Sequence, residues 1–155
     1  MTPFVNARPG FVNVAVNEPV AINQTIRKGD LIKFDATTKQ VTKAAIGDTP
    51  LLGFATHPIT TGATVKETDR LIVDTFNSQS LTRATVKNGV TVDRATLVNV
   101  AVGFIDEGGE IRLDPAATVK QAIITEIVDR NGITTAYGEP LTVYFEIKDP
   151  ANRSR

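Results

Sequence analysis

Val12, Val14 and Val16 alternate with Asn13, Ala15 and Asn17, the period of two that puts successive side chains on opposite faces of a strand. Val20 and Ile22 follow Pro19 and mark the start of a strand. After Gly29-Asp30, residues 31–35 predict a strand with Ile32 and Phe34 inward and Lys33 and Asp35 outward. The polar run 35–40 turns it into a return strand at 41–43, a hairpin. Gly47-Asp48-Thr49-Pro50 is a second turn, before an apolar segment at 51–56. Further strands are predicted at 71–76, 123–128 and 141–147. A short hairpin is predicted across Asn88-Gly89, a favoured turn pair. The most regular alternation is Val98, Val100, Val102 and Phe104, turned by Glu107-Gly108-Gly109 into a strand at 110–113. No helix of ten residues is predicted; Asp114-Pro115 either caps one helical turn through Ala122 or lies in a loop.

Turn residues recur every 8–15 positions along the chain, the spacing of a sandwich or barrel and not of βαβ units. The expected fold is all-β, a small antiparallel β-barrel or sandwich. Residues 1–10 read as an extended N-terminal arm, 11–148 as a single β domain and 149–155 as a polar tail. Gly53-Phe54 and Gly103-Phe104 echo each other, but a two-residue match is what chance supplies, so no internal duplication is expected.

Composition sharpens this picture. Val, Ile and Thr number 17, 13 and 21 among 155 residues, against eight Leu and one Met. Such β-branched side chains suit a pleated, half-buried surface. A chain of this length buries enough surface to fold without a metal or disulfide. It has no cysteine, which excludes thiol catalysis and Cys-based metal sites and fits a reducing cytoplasm. The 17 basic and 17 acidic side chains balance, so no surplus of Lys and Arg points to nucleic acid. No apolar run approaches the roughly 20 residues that span a bilayer. The first eight residues lack the pattern of a signal peptide. Neither a nucleic-acid nor a membrane partner is expected.

Few residues offer chemistry. His57 is the only histidine and reads as a turn or surface residue. Asp106, Glu107 and Glu110, and separately Glu67 and Asp69, are paired carboxylates of the kind that serve as acid and base or hold calcium. Their turn-like settings read instead as solvated loop charge. Residues 103–111 share an Asp and a Gly-Glu with the uracil-pocket motif of trimeric dUTPases. They lack the tyrosine between them, and the other signatures of that family are missing. No catalytic, cofactor-binding or metal residue is assigned, and no enzyme activity or cofactor is expected.

Lys28-Gly-Asp-Leu-Ile32, the run 35–44 (Asp-Ala-Thr-Thr-Lys-Gln-Val-Thr-Lys-Ala) and Pro50-Leu-Leu-Gly-Phe-Ala55 together resemble the capsid decoration (cement) proteins of tailed bacteriophages. Those chains carry a Gly-Asp-apolar-apolar strand, a polar turn, a Val-x-Lys-Ala return strand and a Pro-apolar-Gly-apolar-Ala strand. The resemblance implies a β-barrel or β-tulip-like domain on the outer surface of a virion head, made in the host cytoplasm and commonly a homotrimer. Its partner would be the major capsid protein, whose neighbouring subunits it staples. The arm Thr2, Pro3, Phe4, Val5, Asn6 and Arg8 is the expected capsid contact: it would add a strand to a sheet edge, with Phe4 and Val5 as apolar anchors. The alternatives are another β-rich virion part, such as a head-fibre base or tail protein, and a non-viral ligand-binding β module. The absence of Trp and the presence of only two Tyr weigh against a carbohydrate platform.

Overall fold

A computed structural model of the chain describes residues 15–76, 82–127, 133–134 and 142–147. In its first half, β1 (Ala15–Pro19), β3 (Leu31–Asp35), β4 (Gln40–Lys43), β5 (Gly53–Ala55) and β7 (Arg70–Thr75) form an antiparallel sheet in the order β1-β7-β5-β3-β4. Strands β2 (Thr25–Ile26) and β6 (Ile59–Thr60) pair as a short ribbon. In the second half, β8 (Thr82–Thr85), β10 (Ala101–Glu107), β11 (Glu110–Asp114), β12 (Ala122–Ile127) and β14 (Thr142–Glu146) form another antiparallel sheet, in the order β11-β10-β12-β14-β8. Here β9 (Thr91–Val92) and β13 (Ile133–Thr134) make the ribbon. The antiparallel all-β expectation holds in its sandwich-like form, and neither sheet closes into a continuous barrel.

The two halves are copies of one plan. Read backwards, the second order is β8-β14-β12-β10-β11, which matches β1-β7-β5-β3-β4 strand for strand, and each half adds one ribbon. The registers agree as well. Glu18 faces Leu71 where Ala84 faces Val143. Phe34 faces Val41 where Phe104 faces Leu113. Ile32 faces Gly53 where Val102 faces Ala122. In each half the two outer strands of the sheet are tied by one parallel bridge, Val20 to Val41 and Val86 to Leu113. The expectation of no duplication is therefore overturned. The Gly-Phe echo does not mark the repeat, because Gly53 corresponds to Ala122 and Gly103 to Lys33. Among its true traces are Val20 and Val86, Thr25 and Thr91, Phe34 and Phe104, and Ile59-Thr60 and Ile133-Thr134.

The repeat explains which side chains are buried. The first lobe closes around Val20, Ile32, Val41, Ala55, Leu71 and Val73, with Ile26 and Leu52 added. The matching positions of the second lobe, Val86, Val102, Leu113, Ile124, Val143 and Phe145, line its own core. That second core also takes in Leu31, Leu51, Phe54 and Phe76 from the first lobe. Phe54 meets Phe104 and Phe145 edge-on, at centroid distances of 5.9 and 6.3 Å, a geometry worth about 0.5–1.5 kcal/mol per pair beyond area burial. At the matching end of the second lobe, Leu31 is replaced by the exposed Ala101 and Leu51 by the exposed Lys120.

Several boundaries differ from expectation for identifiable reasons. Strand β10 begins at Ala101 and not at Val98, because Asn99 adopts φ 66° and breaks the extended run. The predicted hairpin across Asn88-Gly89 does not form: β8 pairs with β14 and β9 with β13. Pro19 ends β1 instead of preceding a new strand. A helical turn, α1 (Arg94–Leu97), is capped by Asp93, whose side chain accepts from the Ala95 amide. It occupies the connection 93–100, which is longer than its counterpart 27–30 in the first lobe. Of the two readings for 114–122 the loop holds: the Asp114 carboxylate accepts from the Ala116 amide at 2.8 Å and no helical turn follows.

Candidate functional site

The junction of the lobes is the most distinctive surface. Two loops meet there, 45–49 between β4 and β5, and 115–121 between β11 and β12. Gln121, almost fully buried, holds them together: its Oε1 accepts from the Phe104 amide at 3.2 Å and its Nε2 donates to the Asp48 carbonyl at 3.3 Å. In the first lobe Leu52 fills the matching position. Beside this link opens a shallow crevice of about 320 Å³ lined by Ile46, Gly47, Phe104, Ile105 and residues 116–119. Ile46 and Val119 at its rim are 47% and 40% exposed. No titratable side chain lines it, so the crevice itself offers no group to move protons.

The charges around the junction are committed to structure. Lys33 Nζ donates to Asp48 Oδ2 at 2.8 Å. That bond, followed by the Ala45 amide, holds the Asp48 carboxyl below the usual carboxylate range. Asp106 is exposed, as expected of solvated charge, but Glu107 and Glu110 sit on strands and form a clamp. Glu107 and Glu110 both bind Arg112, Glu110 at 2.8 Å, and Asp106 Oδ1 closes the hairpin by accepting from the Gly109 amide at 2.8 Å. Burial opposes the charge on Arg112, but Glu110 and Glu107 outweigh it and raise its pKa. The Arg112 hydrogen bond lowers that of Glu110.

His57 is half-buried. Its Nε2 accepts from the Ile72 amide at 3.2 Å and its Nδ1 lies 3.2 Å from the Pro58 carbonyl. The ring thus extends the β5–β7 ladder by one bond. Glu67 is exposed in a turn, two residues from the half-buried Asp69. Among the described residues no three His, Cys, Asp or Glu side chains form a group able to hold a metal. No helix among them is long and apolar enough to cross a membrane. The arm residues Thr2, Pro3, Phe4, Val5, Asn6 and Arg8 lie outside the described residues, as do the tail 149–155 and the strand-like positions Val12 and Val14. No known protein family matches the chain, and no curated protein is detectably similar to it.

Sequence reasoning missed Gln121 and the crevice. Both depend on loops from different lobes meeting, and only recognition of the repeat would have shown a glutamine standing where its counterpart is leucine.

Proposed function

We propose that this protein is a structural component of a virion that binds the outer surface of a tailed-phage head and staples neighbouring major capsid subunits, as a homotrimer. The observation that carries the reading is the resemblance at Lys28–Ile32, 35–44 and Pro50–Ala55. Those segments supply β3, β4 and β5, three adjacent strands of one sheet, so they make one continuous unit and not scattered matches. The repeated, modest contacts of such a protein gain strength through avidity over a lattice.

Co-sedimentation with expanded, undecorated heads of the phage that encodes it tests the reading. Saturable pelleting at a fixed ratio to the major capsid protein is expected, and no pelleting discards the role. Deleting residues 2–8 is expected to leave the melting temperature unchanged and abolish pelleting. Unchanged pelleting of the truncated protein removes the arm from the interface.

A further inference from the structure

The lobes lean on each other unequally. The first core is made within the first lobe. Its buried side chains, among them Ile26, Ile32, Leu52, Leu71 and Val73, are at most 3% exposed and all lie between Val20 and Val73. Among the described residues, none of the second lobe joins them. The connection into β3 is held by the same lobe: Gly29 donates to the Ala55 carbonyl at 2.8 Å, and Ala55 to the Asp30 carbonyl at 2.9 Å.

The second core is not self-contained. Leu31, Ala44, Leu51, Phe54 and Phe76 of the first lobe form part of it. Phe104 and Phe145, 5.6 Å apart, each meet both Phe54 and Phe76, at centroid distances of 5.9–6.3 Å. Gln121 leans the same way, because its Nε2 donates to the Asp48 carbonyl of the first lobe. The loop that offers this carbonyl holds itself. Asp48 Oδ2 accepts from the Ala45 amide at 2.9 Å and from Lys33 Nζ at 2.8 Å, and the Asp48 amide donates to the Ala45 carbonyl at 3.1 Å. Taking the first lobe away strips the second core of part of its wall and leaves a buried amide donor without its partner, losses that packing and hydrogen bonding both oppose. Taking the second lobe away uncovers one apolar end of the first and leaves its core closed.

We propose that the dependence runs one way: the first lobe folds on its own core, and the second lobe folds only against it. The chain then has a partly folded form with the first sheet paired and the second open, and no form with the second sheet paired alone.

Native-state hydrogen exchange on the full chain, at denaturant concentrations below the unfolding transition, tests this. The two lobes carry the same reporter bond: Ala55 to the Asp30 carbonyl at 2.9 Å, and its counterpart Ile124 to the Val100 carbonyl at 3.1 Å. In the wild type Ile124 is expected to exchange at least about tenfold faster than Ala55, since it opens in the partly folded form and Ala55 only on complete unfolding. Ile26→Val, in the first core, weakens the native and the partly folded form alike, so it is expected to speed Ala55 and leave Ile124 unchanged. Phe54→Ala, on a first-lobe strand but in the second core, weakens the native form alone and is expected to speed Ile124. Val143→Ala, in the second core, is expected to speed both reporters by the same factor. Equal rates for Ala55 and Ile124 in the wild type mean one cooperative unit and overturn the proposal, as does faster exchange of Ile124 in Ile26→Val. An Ala55 rate unmoved by Val143→Ala means independent lobes and overturns it too.

Discussion

Gly53 shows how strictly a single residue can be specified. It sits opposite Thr75 on β7, and a Cβ built there would lie 1.9 Å from the Asp74 carbonyl oxygen. Backbone cannot yield as the tip of a side chain does. Gly53→Ala is therefore expected to destabilise the protein by about 2–4 kcal/mol, the upper range for overpacking, read as a drop in melting temperature. Gly103 is held for the same reason, since its Cβ would meet the Val119 carbonyl at 2.1 Å. The counterparts, Ala122 and Lys33, have side chains, so neither requirement belongs to the repeated plan. Each arises where a particular neighbour crosses close, β7 over Gly53 and the 115–121 loop over Gly103.

At the scale of elements, the loop 45–49 is pinned to β3 by Lys33 and Asp48, a link that acid should release. A carboxyl whose folded pKa is depressed contributes stability that is complete above its unfolded value and is lost as pH falls through the folded one. The melting temperature of the wild type is expected to fall more steeply than that of Asp48→Asn below about pH 4; parallel curves would show that the bond does not couple to folding. Much at this scale was legible in the sequence. The alternation at 31–35 placed Ile32 inward, and the turns at 35–40 and 107–110 fixed two hairpins, because strand period and turn chemistry are local. What could not be read was local pattern overruled by distant partners. Val98 and Val100 continue the period of β10 yet serve the core through a loop, since Asn99 turns the chain. The Asn88-Gly89 turn is real, but its flanking strands pair elsewhere. Nothing near Asp106, Glu107 and Glu110 announced that Arg112 would gather two of the three.

For the molecule as a whole, the duplication was illegible because the lobes share fold and register while keeping few side chains in common. The inward positions tolerate any apolar residue of suitable volume, so Val73 and Phe145, or Ala55 and Ile124, do the same task without resembling each other. The outward end of the first lobe is different: Leu31, Leu51 and Phe54 make it adhesive, and it is consumed against the second lobe. A unit with one adhesive end and one receptive face, repeated in a chain, has the makings of a fibre that grows without limit. Ala101, Lys120 and Ile123 stand where Leu31, Leu51 and Phe54 would recur, so the second lobe does not repeat that apolar end. Restoring the apolar end with Ala101→Leu, Lys120→Leu and Ile123→Phe is expected to turn a protein of fixed size into one whose light scattering climbs with concentration. Unaltered scattering would mean that those three positions do not terminate anything.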